Sequence, residues 1–263
     1  MNLHLEGKNV LVTGGGRGIG RSIALAFAIE GANVLINDTN LEAAKETAAL
    51  VLKHGVRALP IACDVSNLSS VLEMSKIAFL NFDRLDILVN NAAVRKTHTF
   101  FIDTDPFDCD LEFKVAVFGT MNCCRAFLPR MIQNSFGKII NIGTDAARVG
   151  QERECNYSAA KGAILSFTKS LAKEVGRNNI NVNAVSPGAT NAPMRQERIE
   201  LLKKEIGEVR VAEREEKVKK LYALRRIGEP EDVANTVVYL SSEPARHITG
   251  QVISVNGGYA MVG

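Results

Sequence analysis

The stretch Thr13-Gly14-Gly15-Gly16-Arg17-Gly18-Ile19-Gly20 decides how the rest of the chain is read. It follows residues 8–13 (KNVLVT), an apolar run of buried-strand type. It precedes residues 18–30, where Ile19, Ile23, Ala24, Phe27 and Ala28 fall on one helical face. Glycines at a strand-to-helix turn let backbone approach a diphosphate, and the helix N-terminus presents N–H groups and the positive end of its dipole. Gly14, Gly16, Arg17, Gly18, Ile19 and Gly20 are therefore candidate contacts to a dinucleotide.

The same alternation continues outward from this turn. Strands are expected at residues 33–37, 57–63, 86–90, 138–142, 181–186 and 251–255, with helices at 41–54, 67–81, 156–176 and 230–241. Residues 106–131 carry one long helix or two. Strand–helix–strand repetition implies parallel pairing by right-handed crossovers, and near-continuous apolar strands fit a sheet covered on both faces. The fold class is α/β, a doubly wound Rossmann-type parallel sheet, with residues 1–263 forming one domain. A charged, helix-prone stretch interrupts the rhythm at about 190–225. Its pairs Glu200–Lys204, Glu213–Lys217, Glu215–Lys219 and Glu216–Lys220 have the i,i+4 spacing of a solvated helix. The stretch reads as a helical insertion, a mobile lid over the substrate, or both.

Composition narrows the function classes. A chain of 263 residues with 46% apolar and 23% charged side chains matches ordinary globular proteins. A net charge of +3 leaves no electrostatic footprint for nucleic acid. No apolar run approaches the ~20 residues that span a bilayer, so no membrane association is expected. The N-terminal residues lack the pattern of a signal peptide, and five cysteines without a CxxC spacing read as buried or half-buried free thiols of a reducing, cytoplasmic compartment. The four histidines are scattered, and no metal site is expected.

Several further residues carry chemistry. Asp38 closes the second strand, where a carboxylate accepts hydrogen bonds from ribose hydroxyls and repels a 2′-phosphate, which favours NAD. Arg17 pulls toward the phosphorylated cofactor, but a carboxylate beside a phosphate is the harder conflict. Asp64 and Val65 follow the third strand and could meet the adenine. Asn91 and Ala92 follow the fourth, where small residues allow close approach. Tyr157 and Lys161 share one helical face. A tyrosine titrates near pH ~10. A lysine ammonium one turn away favours the phenolate and lowers that value, so the pair suits proton exchange with an alcohol oxygen.

Taken in order, TGGGRGIG, Asp38, Asp64-Val65, NNAA at 90–93, Tyr157-x3-Lys161, Pro187-Gly188 and the terminal ITGQVISVNGG resemble the short-chain dehydrogenase/reductase family over essentially the whole chain. The resemblance implies Tyr157 as general acid/base, Lys161 as the residue that holds the nicotinamide ribose and tunes Tyr157, and Thr144 in place of the usual serine that polarises the substrate oxygen. Pro187, Gly188 and Thr190 would lie along the cofactor. It also implies dimers or tetramers of like subunits. Two positions depart from the family pattern: Ala116 stands where an asparagine seats a relay water, and Ala192 where a threonine meets the carboxamide.

Arg95, Arg148 and Arg153, with Lys96, fall in loops that border the substrate mouth in such folds and could read an anionic handle such as that of an acyl-coenzyme A. Asp145-Ala146-Ala147-Arg148-Val149-Gly150 resembles relatives that oxidise hydroxyacyl-coenzyme A esters. The leading expectation is an NAD-dependent alcohol dehydrogenase or ketone reductase acting on a hydroxyacyl or oxoacyl compound. The alternative is a weak or inactive subunit in a hetero-oligomer with an active paralogue, as Ala116 and Ala192 suggest.

Overall fold

The computed structural model describes residues 2–96 and 98–262. Its sheet contains β1 (Asn9–Thr13), β2 (Asn33–Asp38), β3 (Ala58–Ala62), β4 (Ile87–Asn90), β5 (Gly137–Ile142), β6 (Ile180–Pro187) and β7 (Val252–Val255). The order is β3-β2-β1-β4-β5-β6-β7 and every pairing is parallel. The chain winds outward from β1 in one direction, then restarts at β4 in the other. The crevice at that switch, above the carboxyl ends of β1 and β4, is where open α/β sheets bind ligands.

Alternation along the strands builds two cores. Val10 and Val12 of β1 join Ile23 and Phe27 of α1 (Gly18–Ile29) on one face, while Leu11 joins Met74 of α3 (Leu68–Asn81) and Phe127 on the other. Phe27 and Phe127 are fully buried, each contributing roughly 1.5–3 kcal/mol of apolar transfer. The second helix, α2 (Leu41–Leu52), is capped by Asn40, whose side chain accepts from the backbone of Glu42 and Ala43.

Residues 106–133 are neither one helix nor two separate ones. The run consists of α4 (Pro106–Phe113), a π-helical turn at Lys114–Phe118, and α5 (Gly119–Gln133). Beyond β5 come the short α6 (Ala146–Val149) and the long α7 (Cys155–Val175). The charged insertion folds as α8 (Pro193–Ile206) and α9 (Glu208–Lys220), broken at Gly207 where φ is +88°. Its ion pairs differ from the expected i,i+4 set: Glu200 meets Lys203 and Glu216 meets Lys219, both at i,i+3, while Glu215 turns away to Arg195 and ties α9 to α8. The last helix, α10 (Pro230–Ser241), packs against α1.

Candidate active site

One cleft of about 600 Å³ collects most of the residues singled out above. Gly14, Arg17, Gly18, Ile19, Gly20, Asp38, Asp64, Val65, Asn91, Ala92 and Ala93 line one half. Ile142, Thr144, Tyr157, Lys161, Pro187, Gly188, Thr190 and Ala192 line the other. The lid helices close it with Met194, Ile199, Leu202 and Val218.

The glycine turn is shaped by close approach. Gly14 has φ of +61°, and a Cβ there would meet the Cα of Ala92 at 3.0 Å. At Gly20 a Cβ would stand 2.1 Å from the carbonyl oxygen of Gly14, so no side chain fits. Asp38 is held against this turn: one carboxylate oxygen accepts from the Gly16 amide and the other from the Asn40 amide, each at 3.0 Å. Arg17 pairs with Glu197 of α8 at 2.6 Å, which links the turn to the lid. Asn91 is chiefly structural. Its amide donates to the carbonyls of Thr13 and Gly14 at 2.9 and 3.0 Å, pinning the ends of β1 and β4 together.

On α7 the 3.6-residue period stacks Tyr157 above Lys161. The Lys161 ammonium donates to the Ile142 carbonyl at 2.6 Å and lies 5.9 Å from the centre of the Tyr157 ring. Burial brings Lys161 down to about 8. Burial pushes the Tyr157 phenol up to about 12, opposed by Arg95 and reinforced by Glu154 and Glu112. This corrects the expectation that Lys161 lowers the tyrosine. The cation acting on Tyr157 is Arg95, whose guanidinium sits 6.0 Å from the ring centre, and the Lys161 ammonium directs one of its N–H groups to a carbonyl. The Thr144 hydroxyl accepts from the Ala146 amide at 3.4 Å and remains on the cleft wall.

The departures have definite surroundings. Ala116 lies in the π-helical turn, 2% exposed, in an apolar cluster with Val117, Ala160 and Ile164. Ala192 ends the loop before α8 and lines the cleft, while the Thr190 hydroxyl is turned to the Gly188 carbonyl at 3.2 Å.

Two of the three rim arginines are not where the sequence suggested. Arg148 donates to the Ser254 hydroxyl at 2.7 Å and the Val262 carbonyl at 3.0 Å, so it braces β7 and is not among the residues lining the cleft. Arg153 stacks over Phe100 at 4.5 Å and pairs with its neighbour Glu152, also off the cleft wall. Arg95 does line the cleft, paired with the buried Glu154 at 3.1 Å. Cys155 is exposed, contrary to the expectation of buried thiols; the other four described cysteines are buried or half-buried.

Sequence reasoning missed Glu154, His98, Arg195, Arg198 and Arg214. The last three sit in a charged run that reads as a solvated helix. Their one signal is that Arg195 and Arg198, three apart, share a face. It also missed Asp145. That buried carboxylate accepts from Ser186 and Ser254, each at 2.7 Å, and from Asn256, which fastens the ends of β5, β6 and β7 beside Thr144.

The residues fit a nicotinamide dinucleotide. The glycine turn leaves a cradle that any Cβ would fill, α1 points its N-terminus into that cradle, and a carboxylate closes β2.

Comparison with known proteins agrees with this geometry. The family model described as Enoyl-(Acyl carrier protein) reductase matches residues 14–260. The 3-oxoacyl-[acyl-carrier-protein] reductase FabG of Aquifex aeolicus is 38% identical over 259 residues, covering 98% of this chain and 99% of the relative. The short-chain reductase protein NovJ of Streptomyces niveus is 36% identical over 248 residues, covering 94% and 92%. Among solved structures, NAD+-bound xylitol dehydrogenase superposes with a TM-score of 0.91 at 29% identity, covering 97% of this chain and 100% of the other.

Proposed function

The chain belongs to the short-chain dehydrogenase/reductase family and is an oxidoreductase by that membership, and on that footing we propose that it interconverts a secondary alcohol and a ketone with NAD(H), its substrate a hydroxyacyl or oxoacyl compound. The observation that carries this reading is convergence. Tyr157, Lys161 and Thr144 open onto the same cleft as the glycine turn and Asp38. The relatives, 3-oxoacyl-[acyl-carrier-protein] reductases, support an oxoacyl substrate.

Gly14, Gly16, Gly18, Ile19 and Gly20 would hold the diphosphate, Asp38 the adenosine ribose, and Asp64 and Val65 the adenine. Asn91 and Ala92 keep the floor low, and Pro187, Gly188 and Thr190 flank the nicotinamide end. When bound, the nicotinamide supplies or accepts hydride. The protein's part is the proton and the oxygen. Thr144 holds the substrate oxygen by its hydroxyl, and Tyr157 gives it a proton in reduction or takes one in oxidation. A phenol pushed up to about 12 keeps its proton at neutral pH, which suits the reductive direction. Lys161, brought down to about 8, is still mostly charged at pH 7. Helices α8 and α9 act as the lid, with Arg17–Glu197 as a latch. Phe107, 83% exposed, and Phe118, half exposed, support assembly with like subunits through α4 and the π-helical turn.

A second reading follows from Ala116. No polar side chain occupies the place of a water-seating amide, so proton exchange from Lys161 is slow in this subunit, and an active paralogue would carry turnover in a hetero-oligomer. NADH oxidation by the purified chain with 3-oxo acids, esters and thioesters separates the readings. The first predicts turnover with at least one of them that falls about 100-fold or more in Tyr157→Phe. Rates no higher than those of Tyr157→Phe would overturn it.

A further inference from the structure

Beyond the catalytic groups, the cleft contains a cluster of guanidinium groups with too few counter-charges. Glu154 is buried where α7 begins, and three side chains converge on one of its oxygens, Oε1: the guanidinium groups of Arg95 at 3.1 Å and of Arg198 of α8 at 3.7 Å, and the His98 ring at 3.6 Å. Arg198 also donates to Nε2 of His98. That nitrogen is therefore a lone-pair acceptor and the imidazole is neutral. Burial, then Arg198, Arg95, Arg153 and Arg214, brings His98 down to about 4, so it adds no positive charge at neutral pH.

Arg214, on α9, lines the same cleft and makes no ion pair or hydrogen bond among the described residues. The neighbouring Arg195 is already neutralised by Glu215. Arg95 and Arg198 thus share one carboxylate, and Arg214 pairs with none among the described residues. Of this surplus of two positive charges, the one left on Arg95 and Arg198 is half-buried under the lid, where water screens it less than on an open surface, and Arg214 brings the other from an exposed position on the rim. Clustered guanidinium groups left without counter-charges cost stability, and an anionic ligand removes that cost.

The position of this surplus fixes what kind of anion it can serve. Arg95 is 6.0 Å from the centre of the Tyr157 ring, on the phenol that serves the reacting oxygen. We infer that the cluster of Arg95, Arg198 and Arg214 binds a carboxylate of the substrate itself, only a few bonds from the reacting carbon, so that the substrate class is a short oxo acid or hydroxy acid. A coenzyme A thioester carries its phosphates many bonds from the carbonyl. It cannot place them beside Arg95 while its ketone is at Tyr157. The inference rests on the reading of Tyr157 above for which end of the substrate reacts.

The test compares 3-oxobutyrate with its methyl ester, which keeps the ketone and loses the charge. NADH oxidation is followed for the wild type, Arg198→Gln and Arg214→Gln. The wild type should favour the acid in kcat/KM by about 10-fold or more, and Arg198→Gln should lower that acid-to-ester ratio by ~10–100-fold, the value of a charge-assisted hydrogen bond. Arg214 has no partner to lose, so Arg214→Gln folds normally and should lower the ratio in the same direction. Equal use of acid and ester, equal losses on both in the variants, or a preference for 3-oxobutyryl-coenzyme A over the free acid would overturn the inference. Calorimetric titration of 3-oxobutyrate into the protein saturated with NAD+ keeps the two readings apart. Binding that weakens about 10-fold in Arg198→Gln upholds the anion site even when neither compound turns over, and the catalytic reading alone then fails. No binding, or binding unchanged in both variants, overturns the anion site.

Discussion

Asp38→Ala should erase the discrimination between NAD(H) and NADP(H). In the folded chain the Asp38 carboxylate is held on the edge of the cleft by the Gly16 and Asn40 amides, so it cannot swing away from an incoming 2′-phosphate. Two unit charges 4 Å apart repel by about 1 kcal/mol in water and about 4 kcal/mol at an effective dielectric of 20. Asp38 is half-buried, and a penalty of about 2 kcal/mol, or about 30-fold in dissociation constant, is the expected preference for NADH. Arg17 offsets it only in part, because its guanidinium is largely exposed and already paired with Glu197. Asp38→Asn keeps the shape and an acceptor oxygen while removing the charge, so it separates repulsion from hydrogen bonding: NADPH should gain most of its affinity in this variant, and NADH should lose little. Titration calorimetry of both cofactors against the three proteins gives the numbers directly. Tighter NADPH binding by the wild type, or a ratio unmoved by Asp38→Ala, would refute the assignment.

Two further outcomes follow. Ala116→Asn places an amide in a dry apolar cluster, and should lower unfolding free energy by about 1–3 kcal/mol in urea titration while raising turnover if proton exchange is limiting. An unchanged stability would mean that the cluster is already open to water. For Lys161 the folded value of about 8 lies below the ordinary 10.5, so between these pH values the unfolded chain binds the extra proton and stability rises with pH. Lys161→Met abolishes that contribution. From pH 8 to pH 10 the cofactor-free wild type should therefore gain about 2 kcal/mol relative to Lys161→Met. A difference constant with pH would show that Lys161 is not desolvated as the structure has it.

Much of this molecule was legible in its sequence because its strands are short apolar runs and its turns carry glycine where backbone must approach backbone. Gly14 and Gly20 meet their constraint in that way. The π-helical turn at Lys114–Phe118 was not legible, since a slip of one residue in the hydrogen-bond ladder leaves no mark in composition. Ion-pair partners in the insertion also escaped. Spacing alone permits both i,i+3 and i,i+4 partners, and Glu215 found a better one in Arg195 on another helix. Loop arginines were placed by analogy at the cleft mouth. Tertiary contacts drew Arg148 to β7 and Arg153 onto Phe100, and brought the lid arginines in instead. Tyr157 and Lys161 were found by their spacing, but the sign of the tyrosine shift was misjudged, because burial cannot be read from four residues of separation.

Single-turnover hydride transfer tests the central claim, that Tyr157 of this chain moves the proton. The enzyme, preloaded with NADH, is mixed with excess 3-oxo substrate, and loss of NADH absorbance is followed for the wild type and for Tyr157→Phe, which keeps the ring and removes the exchangeable proton. The account predicts a burst in the wild type and a rate lower by about 100-fold or more in Tyr157→Phe at pH 7. A Tyr157→Phe rate equal to that of the wild type would contradict it.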